Sequence, residues 1–111
     1  MTEKVLLITT SGQLGLVELD QDDFLAGLQR LVGGHIETLA LAPDLTLIVN
    51  EEGLLRDLDY NLVASQFMNM HLVGNAVLCG IGLKDDEWDL TGLPPIYAEL
   101  AKQILNKRNP S

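Results

Sequence analysis

Residues 45–50 read Leu-Thr-Leu-Ile-Val-Asn, with apolar side chains on both parities of the run. In a β-strand, alternate side chains point to opposite faces of the sheet. A strand that is apolar on both faces suits water on neither, so this segment predicts a central strand covered on both sides. The rest of the chain must supply its neighbours and its cover. At 111 residues the chain is long enough to bury such a core as one domain.

The flanking segments fit that demand. Residues 35–41, His-Ile-Glu-Thr-Leu-Ala-Leu, are rich in strand formers and are joined to the central run by Ala-Pro-Asp, a hairpin signal. Asn-Glu-Glu-Gly closes the central strand, with Gly53 allowing a tight turn. Upstream, residues 5–19 read as two strands about Ser11-Gly12. Phe24, Leu25, Leu28, Leu31 and Val32 then form one helical stripe. Asp20 is its candidate N-cap, Asp22 and Asp23 suit the first turn, and Gly27 weakens the middle. Gly33 follows directly and suits a left-handed C-terminal cap.

Downstream, residues 58–68 predict a short helix capped by Asp59, with Leu62, Val63 and Phe67 inward. Residues 71–82 return as an apolar strand in which Gly74, Gly80 and Gly82 mark a bulge or close packing. Pro94 and Pro95 open a final helix along which Ile96, Tyr97, Leu100, Ala101 and Ile104 repeat, and residues 106–111 are expected to fray. The order β-β-α-β-β-α-β-α describes a single α+β domain over 1–111, with a mixed or antiparallel sheet of about five strands and about three helices.

Charge narrows the functions. Sixteen acids against seven bases give a formal charge of −9, and the bases are scattered apart from Lys107 and Arg108. Such a surface repels phosphate backbones and anionic membranes, so direct nucleic-acid binding is not expected. One cysteine, Cys79, provides neither a disulfide framework nor a Cys-rich zinc site. In its apolar setting it reads as a small buried residue. The opening apolar run is too short for a signal peptide, and no segment approaches a membrane span. A cytoplasmic protein is the expectation.

Four pieces occur in order: Leu-Val-Gly-Gly-x-Ile-Glu at 31–37, Asn-Glu-Glu-Gly at 50–53, Asn61 with Ala64, and Val-Gly-Asn-Ala-Val-Leu-Cys-Gly at 73–80. Through them the chain, over roughly 5–83, resembles a family of small proteins of unknown function frequent in phages, plasmids and other bacterial mobile elements. The resemblance implies a cytoplasmic protein of mobile-element origin. It implies no reaction and no catalytic residue.

Two sets of candidate residues remain. Glu37, Asn50, Glu51, Glu52, Asn61 and Asn75 fall near element ends, where sheets gather ligands. The same residue types also cap helices and close turns. The second set is acidic: Asp20, Asp22 and Asp23 in one run, Asp85, Asp86 and Asp89 in another. These suit solvated loops and a helix start, or a face that meets a basic partner. His35 and His71 have no ligand-spaced companion, so neither a metal nor a cofactor is expected. Gly33-Gly34 follow rather than precede a helix, the wrong polarity for a phosphate loop, and Gly74, Gly80 and Gly82 lie within or just after a strand. The leading expectation is a non-enzymatic regulatory or interaction protein that binds a host or element-encoded protein through its acidic face. A nucleic-acid-binding defence protein is the suggested target. A small-ligand binder built around Asn50 and Glu51, and a structural homo-oligomer, are the alternatives.

Overall fold

The computed structural model describes residues 1–108. Six strands and three helices occur in the order β1 Thr2–Ile8, β2 Leu14–Asp20, α1 Phe24–Val32, β3 Ile36–Ala42, β4 Leu45–Asn50, α2 Leu62–Met68, β5 Ala76–Lys84, β6 Glu87–Thr91 and α3 Pro95–Arg108. α3 thus takes in residues 106–108 of the segment expected to fray; residues 109–111 lie outside the described residues. The sheet is antiparallel throughout, with order β2-β1-β5-β4-β3. No helix among the described residues is long and apolar enough to cross a membrane.

Every residue of β4 is buried, as its doubled apolar pattern requires. Leu45, Leu47 and Val49 enter one core with Ile8, Ala76, Leu78, Ala64 and Leu72, against which Val63, Tyr97 and Ala98 pack. That layer brings α2 and α3 onto one face. Ile48 enters the other core with Val5, Val77, Cys79 and the α1 residues Phe24, Leu28 and Val32. Each fully buried aliphatic side chain contributes roughly 1.5–3 kcal/mol. A sheet clad on both faces is therefore the economical solution for this sequence.

Two local expectations are corrected. The acidic run at 85–89 is not a loop. Asp85 and Asp86 both take positive φ, 51° and 66°, and turn the chain tightly from β5 into β6, a sixth strand. Aspartate tolerates that conformation better than most residues. Asp20 caps the helical segment as expected, accepting from the Asp22 amide, with Asp22 and Asp23 in a first turn (Gln21–Asp23) that is 3-10 and runs directly into α1.

The cap of α2 is Asn61, not Asp59, and Leu62 and Phe67 face solvent at 54% and 52% exposure. The reason is polar. The Ser65 hydroxyl donates to the Leu72 carbonyl and accepts from the Leu72 amide, at 3.1 and 2.8 Å. Asn61 and Ser65, one turn apart and both buried, fix the helix rotation and bring Ala64 inward.

Gly33 caps α1 as expected, with φ 80° and ψ 25°, and its amide and that of Gly34 both donate to the Gln29 carbonyl. A Cβ there would meet nothing within 4 Å, so any penalty is conformational rather than steric. Gly33→Val is expected to cost on the order of 1–2 kcal/mol, and Gly33→Asn distinctly less. Urea unfolding of the two variants checks this; equal midpoints would remove the left-handed cap as the cause.

β5 is the centre of the sheet. β1 pairs it only along Leu6–Ile8, opposite Ala76–Leu78, and beyond that point β6 takes over. Gly80 pairs with Leu45 of β4 and with Thr91 of β6. A Cβ at Gly80 would collide with the Gly92 carbonyl oxygen and lie 2.6 Å from Thr91 Oγ1. The glycine is there because the chain crosses over it on the way to α3.

Candidate functional site

Three residues of the polar set, Asn50, Asn61 and Asn75, tie backbone segments together. Asn50 ends β4 and is 5% exposed. Its Nδ2 donates to the Val32 carbonyl at 3.1 Å, and its Oδ1 accepts from the Glu52 amide at 2.8 Å. One amide thus ties the end of α1 to the turn after β4. Arg56 supports the same corner by donating from Nη1 to the Gly33 carbonyl at 2.9 Å.

Asn61 is fully buried. Its Nδ2 donates to the carbonyls of Ile8 and Gly74, at 3.0 and 2.9 Å, while its Oδ1 accepts from the Ala64 amide at 3.0 Å. Asn75 accepts from the Thr10 amide at 3.2 Å and reaches the Leu31 carbonyl at 3.5 Å. These side chains satisfy backbone groups that the fold would otherwise bury unpaired.

Glu37, Asn50 and Glu51 nevertheless line one cavity of about 400 Å³, with Leu39, Val49 and Leu72 among its apolar walls. Leu54 and Leu55, 73% and 89% exposed, and His71 also line it. His71 also stacks on Tyr60, with ring centroids 4.9 Å apart. Asn61 is not among the lining residues, Glu52 is exposed outside them, and Asn75 lines a different cavity of about 300 Å³ with Thr10, Leu31 and Gly74. Three of the six thus share one cavity, Asn75 lines another, and Glu52 and Asn61 line neither. Leu54 and Leu55 escaped the sequence reading, although two adjacent leucines outside any periodic element were a usable signal.

The acidic runs meet. Asp22 and Asp89 line one groove of about 240 Å³ together with Phe24, Leu25, Leu90 and Lys84. Lys84 Nζ lies 5.8 Å from the Phe24 ring centroid and 3.9 Å from Glu3 Oε2. Asp20 holds the 3-10 turn, Asp23 pairs with Arg30 at 3.3 Å, and Asp85 and Asp86 make the hairpin turn. Beside them Trp88 is 70% exposed, and Leu83, its cross-strand partner, 61%. Sequence reasoning weighed the acids and passed over the tryptophan among them.

Nucleophilic and metal chemistry find little here. Cys79 is fully buried, and burial, then the charge of Glu3, pushes its thiol up to about 12. Little of it is thiolate near neutral pH. Among the described residues no group of three or more His, Cys, Asp or Glu is placed to hold a metal ion.

Comparison with known proteins finds one family, described as a domain of unknown function (DUF3846), matching residues 1–105. No curated protein and no solved structure matches.

Proposed function

We propose that this chain, which belongs to the DUF3846 family, works by holding a protein partner rather than by catalysing a reaction. What supports this is the convergence of two acidic runs, remote in sequence, on one groove, with the exposed cross-strand pair Trp88–Leu83 next in the chain to its lining residues Asp89 and Lys84. Trp is enriched among residues that dominate binding energy, and a rim of charge steers the encounter and selects the partner. The matching surface is basic, with a pocket for an indole. Lys- and Arg-rich surfaces of that kind are the ones proteins use for phosphate backbones. Occupying one would displace the nucleic acid, so the chain would act as a competitor for a nucleic-acid-binding protein.

The two parts of the surface should separate kinetically. With a partner recovered from cells of the source organism, Trp88→Ala is expected to speed dissociation by about thirtyfold, from an anchor of roughly 2 kcal/mol. Asp22→Asn with Asp89→Asn should instead slow association and flatten its salt dependence. The chain has a single tryptophan, so binding should also shift its fluorescence. Capture indifferent to both variants and to salt would end this proposal, as would tight binding of bare duplex DNA at physiological salt.

A further inference from the structure

Among the described residues β3 is an edge strand, paired only with β4. The Glu51 amide donates to the His35 carbonyl at 2.8 Å, which makes that couple a hydrogen-bonded one. Antiparallel pairs alternate. In the observed register, Glu37–Val49 and Leu39–Leu47 are then also bonded couples, while Ile36, Thr38 and Ala40 aim their N–H and C=O groups away from the sheet. Glu37, Thr38 and Ala40 are exposed. Proteins usually blunt such an edge with Lys, Pro or a bulge. Here there is only the irregularity between Ala40 and Ala42, at the far end.

The cavity of about 400 Å³ adjoins this edge, because Glu37 and Leu39 form its β3 wall and Glu51 stands at its rim. We propose that β3 binds an extended segment of a protein partner as an added antiparallel strand that carries a large apolar residue and, two positions later, a Lys or Arg. An added strand bonded to Ile36, Thr38 and Ala40 meets Glu37 and Leu39 at non-bonded couples, where side chains approach most closely. In antiparallel direction the residue opposite Leu39 comes first and can enter the cavity. The residue opposite Glu37 comes two later and lies beside its carboxylate, with Glu51 one strand further in. Backbone bonds supply affinity and alternate side chains supply specificity.

Charge chooses between occupants. A second copy paired about Thr38 would set its own Glu37 against Leu39 and bring no cation to either carboxylate. It would also join two chains of charge −9. A cationic segment removes both objections. This site involves neither Trp88 nor the groove beside it, so the two proposals stand or fall separately.

The probe is an acetylated, amidated nonapeptide of alternating Thr and Val with Phe at its fourth position and Lys at its sixth, titrated into the full chain by amide NMR. Shifts should concentrate at residues 36–40, and exchanging the peptide's Lys for Glu should weaken binding by about tenfold or more. Thr38→Pro should abolish it while leaving the β4 ladder intact, since the lost N–H faces outward. Glu37→Gln with Glu51→Gln, both at exposed positions, should keep the fold and erase the preference for Lys over Glu. Trp88→Ala should change nothing. Shifts centred elsewhere, or equal binding of the Lys and Glu peptides, would overturn the proposal. So would a concentration-dependent dimer dissolved by Thr38→Pro, which would make a second copy the occupant.

Discussion

Asn61→Ala is expected to destabilise the protein by on the order of 3–5 kcal/mol, near the top of the range for single substitutions. The loss comes from what the side chain leaves behind. The carbonyls of Ile8 and Gly74 and the amide of Ala64 all depend on it, in a fully buried position. Removing one partner from a buried polar group costs more than the bond itself contributed, because water does not reach it. Asn61→Asp should be no milder: it keeps the acceptor for Ala64 but sets a carboxylate against two carbonyl oxygens. Urea unfolding measures the effect. A midpoint within about 0.5 kcal/mol of the parent, the range of neutral surface changes, would mean that water or another side chain can take over the role.

Gly80→Ala should be nearly as damaging, at about 3 kcal/mol, the upper end for overpacking where backbone must move. The added methyl overlaps the Gly92 carbonyl oxygen and Thr91 Oγ1, with Pro94 Cδ at 3.0 Å. None of these is the far end of a flexible side chain. Amide shifts should spread through 88–97, because β6 and the start of α3 are what must retreat. Gly82→Ala is the control, since its one contact within 4 Å is Thr91 Cγ2 at 3.3 Å, a few tenths of an ångström too close rather than an overlap. Equal losses at 80 and 82 would argue for a general intolerance of β5 rather than for this crossing.

Much of the fold was legible because it is written in short patterns. The doubled apolar parity of 45–50 gave the buried central strand, and the stripe ending at Val32 gave Gly33 its cap. What escaped depends on distant partners. β6 is a strand because β5 lies beside it, and two of its own five residues are acids. The rotation of α2 follows Ser65 and Asn61, whereas sequence periodicity counted only its apolar residues. The same division governs the candidate sites. Glu37, Asn50 and Glu51 share a cavity because hairpin register brings them together. Asn61 and Asn75 are held instead by bonds reaching back to Ile8 and Thr10, which no local pattern reports. Asp22 and Asp89 share a groove only because β6 exists.

The strand order also sets an order of events. β1 with β2, and β3 with β4, are neighbours in sequence and can close as soon as each has been made. Between those two hairpins the finished sheet has no hydrogen-bonded couple; only β5 joins them. Residues 76–80 follow both hairpins in the chain, and until they are made the two halves have no common strand. Contacts so far apart in sequence form slowly. Without β5 the chain has two hairpins and no strand in common, so β5 is the element that makes them one sheet. Until β5 pairs, the chain is most exposed to mispairing with other strands in the cell.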